Sequence, residues 1–309
     1  MRLGLLRNAA STGNRGRPPP VLPPGTTMVE PGSPEETATA LGTLKAAGAE
    51  VVVVDGGDGT VRAVLSRLGR VFDVPPPIAI MANGNSNLIA RRLGGVGQGD
   101  GLARLAALTP AAAAAHLRAA PVLRIDFADG RPSERGFIAG WGAYAEGTRI
   151  ATRKIAARHG AQIVRAVAAT LRRTLIGPEA GMLRRGVPCD FRADGHEAVE
   201  GPRFLGIATT LPGPLIAGLS PFWGDGSGAL RWLDISAPPR RLALAAPFVA
   251  LGRPMGWMGR AGYRSGRTGR IDLVLTGDLV MDGEAVASGT GLGVTMTANE
   301  CVSIVDMDG

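Results

Sequence analysis

The stretch VVVVDGGDGTVRAVLSRL, residues 51–68, sets a β-branched run, three glycines around Asp58 and a basic amphipathic segment side by side. Val51–Val54 show no polar alternation, the pattern of a strand buried on both faces. Beyond the glycines, Val61, Val64, Leu65 and Leu68 recur at helical spacing, so the chain leaves the turn as a helix. A glycine turn between a buried strand and a helix presents backbone N–H groups at the positive end of a helix dipole, with no Cβ atoms in the way. That arrangement suits a phosphate, which Gly56, Gly57 and Gly59 would let approach the backbone closely. An acid beside such a site repels a bare phosphate, so Asp58 points to a compensating metal ion or to a base for an attacking hydroxyl. Asp-Gly also favours a type I′ hairpin, but the periodicity that follows is helical and not alternating.

The flanking segments repeat the unit. Leu3–Leu6 read as a first strand, followed by a polar Gly- and Pro-rich loop with room to be mobile. In SPEETATALGTLKAAGAE, Ser33 is placed to cap a helix, with Pro34 at its first position, Glu36 closing a capping box and Gly48 at its end. Ile78–Met81, the loop Ala82–Asn87 and a helix from Asn87 toward Leu93 form the next strand-loop-helix, and such tandem units predict a doubly wound parallel sheet. Gly94–Gly101 read as a linker, and a further helix capped by Thr109 runs to Pro121. From Val122 short β-like segments alternate with Gly, Pro and Asp turns, the pattern of an antiparallel β-sandwich. The expected fold class is therefore α/β plus all-β, with a doubly wound α/β domain over residues 1–121 and an antiparallel β-sandwich domain over 122–309. A helical insertion near 148–185 interrupts the second.

Composition fits this division. With 309 residues and 45% hydrophobic content the chain can bury two cores. Cys189 and Cys301 stand far apart with no metal-ligand spacing, which argues against a disulfide framework and a structural zinc site and fits a reducing cytoplasm. No apolar run approaches the roughly 18 residues a membrane-spanning helix needs. The net charge of +8 rests almost wholly on arginine and favours an anionic partner, although an Ala-, Gly- and Arg-rich composition is itself a sufficient cause. With 4% aromatics to stack bases, nucleic-acid binding is not expected. No GxxxxGK[ST], strand-coupled GxGxxG, HEXXH or GxSxG motif occurs. His116, His159 and His196 are scattered and read as packing or surface residues.

The ordered set of motifs resembles the diacylglycerol kinase catalytic family, which includes bacterial lipid kinases and sphingosine kinases. GGDGT at 56–60 is the strongest element. Asn8 and Ser11 in NAASTG stand where that family has an Asn-Pro-x-Ser-Gly loop. MANGNSNLIARRL, with Gly84, Asn85 and Asn87, resembles its Gly-Thr-x-Asn-Asp loop. Asp126 resembles the acid that opens the second domain, and Asp282-Gly283-Glu284 the C-terminal Asp-Gly-Glu. Ala9, Asn85 and Leu88 depart from the family's Pro, Thr and Asp, and Leu88 removes one acid from the site.

The resemblance makes residues 1–121 a nucleotide-binding domain and implies transfer of the γ-phosphoryl group of ATP to a lipid hydroxyl, with Mg²⁺. Gly56, Gly57, Gly59, Thr60, Asn8, Ser11, Gly84, Asn85 and Asn87 would then bind nucleotide. Asp58, Glu284 and Asp282 would be catalytic, and Asp58, Asp126 and Glu284 would hold metal. A soluble-substrate kinase of the NAD kinase type, and a catalytically silent lipid- or nucleotide-binding protein, remain open alternatives. The basic stretch Arg149–Arg173 reads equally as a peripheral contact with the inner face of an anionic membrane and as a solvated cover for the sandwich.

Overall fold

The computed structural model describes residues 1–153, 180–215 and 218–307. The fold is mixed α/β with extensive sheet, and the chain divides into two compact units. The first comprises Met1–Pro121 together with Cys301–Gly309, and the second Val122–Glu300.

In the first unit, strands β1 (Leu3–Arg7), β2 (Thr27–Val29), β3 (Val51–Gly56) and β4 (Ile78–Ala82) are all parallel. Their spatial order is β2-β1-β3-β4. A fifth parallel segment completes the sheet, because Ile304 and Val305 pair with Ile78 and Ala79. The C-terminal residues thus return to the first unit, whereas the sequence reading assigns them to the second domain. They do so because Ile304 and Val305 are fully buried there. Both sheet faces are covered. Leu3, Leu5, Val51, Val53, Ala79 and Met81 share a core cluster with Leu102 and Leu105 of helix α4 (Gly101–Ala107). On the other face, a Cβ at Gly4 would stand 3.0 Å from Leu44 of helix α1 (Thr37–Ala46).

Several local expectations are corrected. Helix α1 starts at Thr37, not after Ser33, since the Glu36 carboxylate instead accepts the Gly32 N–H at 2.7 Å and residues 34–36 form a turn. Gly48 does end it, with φ +70°. Thr109 caps as expected, accepting the Ala112 N–H at 3.2 Å, but that helix, α5, covers only Pro110–Ala114. Pro121 lies inside the next strand, β5 (Leu117–Phe127).

The second unit is antiparallel. Strands β6 (Glu134–Gly136) and β7 (Ile138–Gly142) are followed by β8 (Val187–Ala193), β9 (Pro202–Thr209) and β10 (Leu230–Ser236). Then come β11 (Tyr263–Thr268), β12 (Arg270–Met281) and β13 (Glu284–Val305), the last running on into the first unit. The order β11-β10-β9-β7-β12-β13 surrounds one core in which Phe191 packs between Trp141 and Trp232 at ring distances of 6.1 and 5.1 Å. Sequence patterning misses β8, whose buried Cys189, Phe191 and Ala193 alternate with Asp190 and Arg192, as well as β11, in which Tyr263 is the one large apolar residue, and the helix Leu242–Ala250. Helix α6 (Ala143–Arg153) opens the basic stretch, with Arg149 paired to Glu146 at 2.7 Å. The stretch from 154 to 173 falls outside the described residues.

If the C-terminal segment is part of the first core, Ile304→Ala should lower the denaturation free energy by about 2–5 kcal/mol. A change within about 0.5 kcal/mol in a urea titration would place that segment outside the core.

Candidate active site

The strand order reverses between β1 and β3, because the chain passes from β1 to β2 on one side and then crosses to β3 on the other. In open α/β sheets, ligands bind outside the carboxyl ends of the strands at such a switch point. Three loops leave the sheet there: residues 8–17 after β1, Gly57 and the start of helix α2 (Asp58–Val71) after β3, and residues 83–87 before helix α3 (Leu88–Leu93). Together with Gly56 at the end of β3, they carry every nucleotide-contact residue expected from the sequence.

The loops are tied together through Asp55, which is 1% exposed. Its Oδ1 accepts from Asn14 Nδ2 at 2.8 Å and from Asn83 Nδ2 at 2.6 Å, and its Oδ2 lies 3.4 Å from Arg7 Nε. Arg7 in turn donates to the Arg17 carbonyl at 2.7 Å and pairs with Glu30 at 2.6 Å. A buried carboxylate is tolerable only with such partners. The loop after β1 is therefore pinned and not free, contrary to the sequence expectation. Asn14, Asn83, Arg7 and Asp55 are absent from the sequence-based site. The available signal was an acid closing a fully buried valine run, a position that demands donors.

Glycine permits the remaining contacts. Gly57 and Gly84 pack backbone to backbone, so a Cβ on Gly84 would stand 2.4 Å from the Gly57 Cα. Asn8 joins the first loop to helix α2 by donating from Nδ2 to Thr60 Oγ1 at 2.9 Å. Asn87, at φ 48°, accepts the Gly84 N–H at 2.7 Å and closes its own loop. Asn85 is exposed. The Ser11 hydroxyl oxygen is buried without a protein partner, a donor left over for a ligand.

Asp58 answers to a structural demand. Its Oδ2 accepts the Leu88 N–H at 3.0 Å and its Oδ1 the Ile89 N–H at 3.1 Å, and the Ser86 hydroxyl also donates to it. The carboxylate thus caps helix α3 from a neighbouring loop, satisfying N–H groups that a helix start leaves unpaired. Leu88, where the family has an acid, contributes its backbone to this cap.

The other expected acids lie in the second unit. Asp282 and Gly283, both at positive φ, form the tip of the β12–β13 hairpin, where Met281 pairs with Glu284. Asp282 is buried, and its carboxylate accepts the Phe137 N–H at 3.1 Å and the Ile138 N–H at 2.9 Å. Glu284 is exposed at the same tip. Asp126 accepts from Arg124 at 2.8 Å and from the Ser133 hydroxyl, while Arg124 also bonds Glu300 at 2.8 Å. Burial raises the Asp126 carboxyl, but the Arg124 and Ser133 hydrogen bonds outweigh it and hold the group below the ordinary range. Among the described residues no three His, Cys, Asp or Glu side chains gather as a metal cluster. Of the expected metal ligands, Asp58 accepts from Ser86, Leu88 and Ile89, and Asp126 from Arg124 and Ser133.

Residues 24–125, which span β2 to β5 and include the second and third loops, match the family model of the diacylglycerol kinase catalytic domain. This bears out the resemblance carried by the motifs. Among solved structures, a diacylglycerol kinase from Bacillus anthracis str. Sterne aligns with 99% of this chain and 97% of its own at 13% identity, with a TM-score of 0.59. A second candidate diacylglycerol kinase from the same organism aligns over the same shares at 16% identity and a TM-score of 0.65. At these identities the structures show a shared fold. No curated protein matches the sequence.

Removing the Asp55 carboxylate should loosen all three loops together. Asp55→Ala should cost about 3–5 kcal/mol, the range for a buried charge pair that loses one partner. Amide exchange should rise in residues 8–17 and 83–88 and stay unchanged in the second unit. Exchange confined to the β3 end would show that Asp55 does not link the loops.

Proposed function

We propose that the protein is an ATP-dependent kinase that transfers a phosphoryl group to the hydroxyl of a diacylglycerol-like or sphingoid lipid. The observation that carries this reading is the backbone contact of Gly57 with Gly84 at the switch point, together with a start of helix α2 that has no side-chain cap. Residues 1–121 with 301–309 would form the nucleotide-binding domain and residues 122–300 the lipid-acceptor domain.

Phosphoryl transfer passes through a loose transition state in which a protein mainly positions groups and neutralises charge. Backbone N–H groups of Gly57, Asp58 and Gly59, at the positive end of a fourteen-residue helix, would receive the nucleotide phosphates. The Ser11 hydroxyl and the Asn85 carboxamide supply further donors. Asp58 acts as a positioning residue, since its oxygens already hold Ser86 and the start of helix α3. Exposed carboxylates such as Glu284 would help hold Mg²⁺ together with the nucleotide, and the ion would supply charge neutralisation at the phosphates. Glu284, exposed on its hairpin, is the expected acid best placed by accessibility to meet a metal or an acceptor hydroxyl.

One observation favours a second reading. With Asp58 engaged and Leu88 in place of an acid, the same loops would equally serve a protein that binds nucleotide without turning it over. ATP consumption against a panel of lipids and NAD separates the readings. A lipid kinase should consume ATP only with a lipid alcohol. Consumption with NAD alone would indicate a soluble acceptor, and none with either would favour the silent binder.

Within the kinase reading, Asp58→Asn should keep the fold and raise the KM for ATP about tenfold or more, a loss of about 1.4 kcal/mol. The amide presents a donor where Leu88 or Ile89 needs an acceptor, so the loops lose their register. An unchanged KM with a kcat reduced more than a hundredfold would instead make Asp58 a group that touches the reacting atoms.

A further inference from the structure

The second unit carries an apolar surface that its fold does not use. Helix Leu242–Ala250, sequence LALAAPFVA, is hydrophobic on every side, yet only Leu242 and Ala245 are buried beneath it. Leu244 is 53% exposed on its outer side, and Leu251 and Met255 just beyond its end are 57% and 45% exposed. Among the described residues these are three of only eight exposed large hydrophobic side chains, gathered within twelve positions. Scattered exposed leucines need no explanation, but a cluster on one element marks an interaction site.

The surface is rigidly held. Ser220 N–H donates to the Ala250 carbonyl at 3.1 Å and Tyr263 OH to the Arg240 carbonyl at 2.8 Å, fixing both ends of the helix. The Arg241 guanidinium lies 5.5 Å from the centre of the Trp257 ring, which itself stacks edge-on against Tyr263 at 6.1 Å. The apolar side is thus presented outward by a fixed scaffold.

Charge selects the partner. From Ile235 to Ile271 the sequence contains seven arginines and no aspartate or glutamate. Arg240, Arg241, Arg253 and Arg260 are exposed and bracket the apolar residues. An apolar strip edged by cations matches one environment well: the headgroup boundary of an anionic bilayer, which accepts leucine and methionine side chains and attracts arginine. A second copy of this chain fits poorly, because a two-fold contact sets the same arginines against each other.

We propose that helix Leu242–Ala250 with its continuation to Arg260 is a membrane-docking surface for anionic phospholipid. It does not depend on the chemistry of the glycine loops. Insertion of Leu244, Leu251 and Met255 supplies the apolar part and the flanking arginines the attraction, which salt weakens.

The test is co-sedimentation of the full chain with phosphatidylcholine vesicles, with and without phosphatidylglycerol. Wild type should bind only the anionic vesicles at low salt and be released at about 0.5 M salt, where the screening length falls toward 4 Å. Leu244→Glu with Leu251→Glu should weaken binding at least tenfold, and so should Arg240→Gln, Arg253→Gln and Arg260→Gln combined. If the leucine variant does not fold, as judged by its melting curve, the three exposed arginines decide the matter alone. Equal vesicle binding by wild type and arginine variant overturns the proposal. So does a monomer–dimer equilibrium that the leucine substitutions abolish while vesicle binding is unchanged, an outcome that makes the face a contact between copies.

Discussion

One buried carboxylate sets the geometry of the first unit. Asp55 ends the central strand, out of reach of water, and draws Asn14, Asn83 and Arg7 to it from three separate segments. An ionised group in that position is strongly unfavourable without donors, so the loops are not independently placed but share one anchor. From that anchor follow the close approach of Gly57 to Gly84 and the contact of Asn8 with Thr60. The start of helix α2 has no side-chain cap of its own.

The two Asp-Gly motifs share a physical role that their spelling conceals. Asp58 accepts the N–H groups that open helix α3, and Asp282 accepts those that open strand β7. Each carboxylate satisfies donors belonging to another segment; the glycine after Asp282 turns the hairpin at φ 90°, whereas the one after Asp58 continues helix α2. A short acid beside glycine is well suited to this pinning, since it reaches two adjacent amides while adding little bulk. Around the glycine loop and at the hairpin tip alike, these acids hold backbone amides of neighbouring segments.

Much of the first unit was legible because its signals are local. The valine run, the helical spacing after Gly59, the Thr109 cap and the Gly48 terminator each depend on a few neighbouring residues, and each has its expected role. What was not legible depends on distant partners. Pro121 divides the two units as the sequence suggests, yet a strand and not a helix runs through it, and Ile304 and Val305, which look like part of one more strand of the second unit, pair with β4. The helix start at Ser33 gave way because Glu36 found the Gly32 N–H instead. Asp55 was overlooked for the same reason, since its three partners lie between 28 and 48 residues away in the chain.

The central claim is that the three loops at the switch point receive a nucleotide's phosphates. Backbone amide chemical shifts measured during titration with MgATP test it most directly. Shifts confined to Ser11, Gly57, Asp58, Gly59, Gly84 and Asn85, saturating at millimolar nucleotide or below, are the result this account predicts. Saturating shifts elsewhere in the chain, with those amides unmoved, would contradict it.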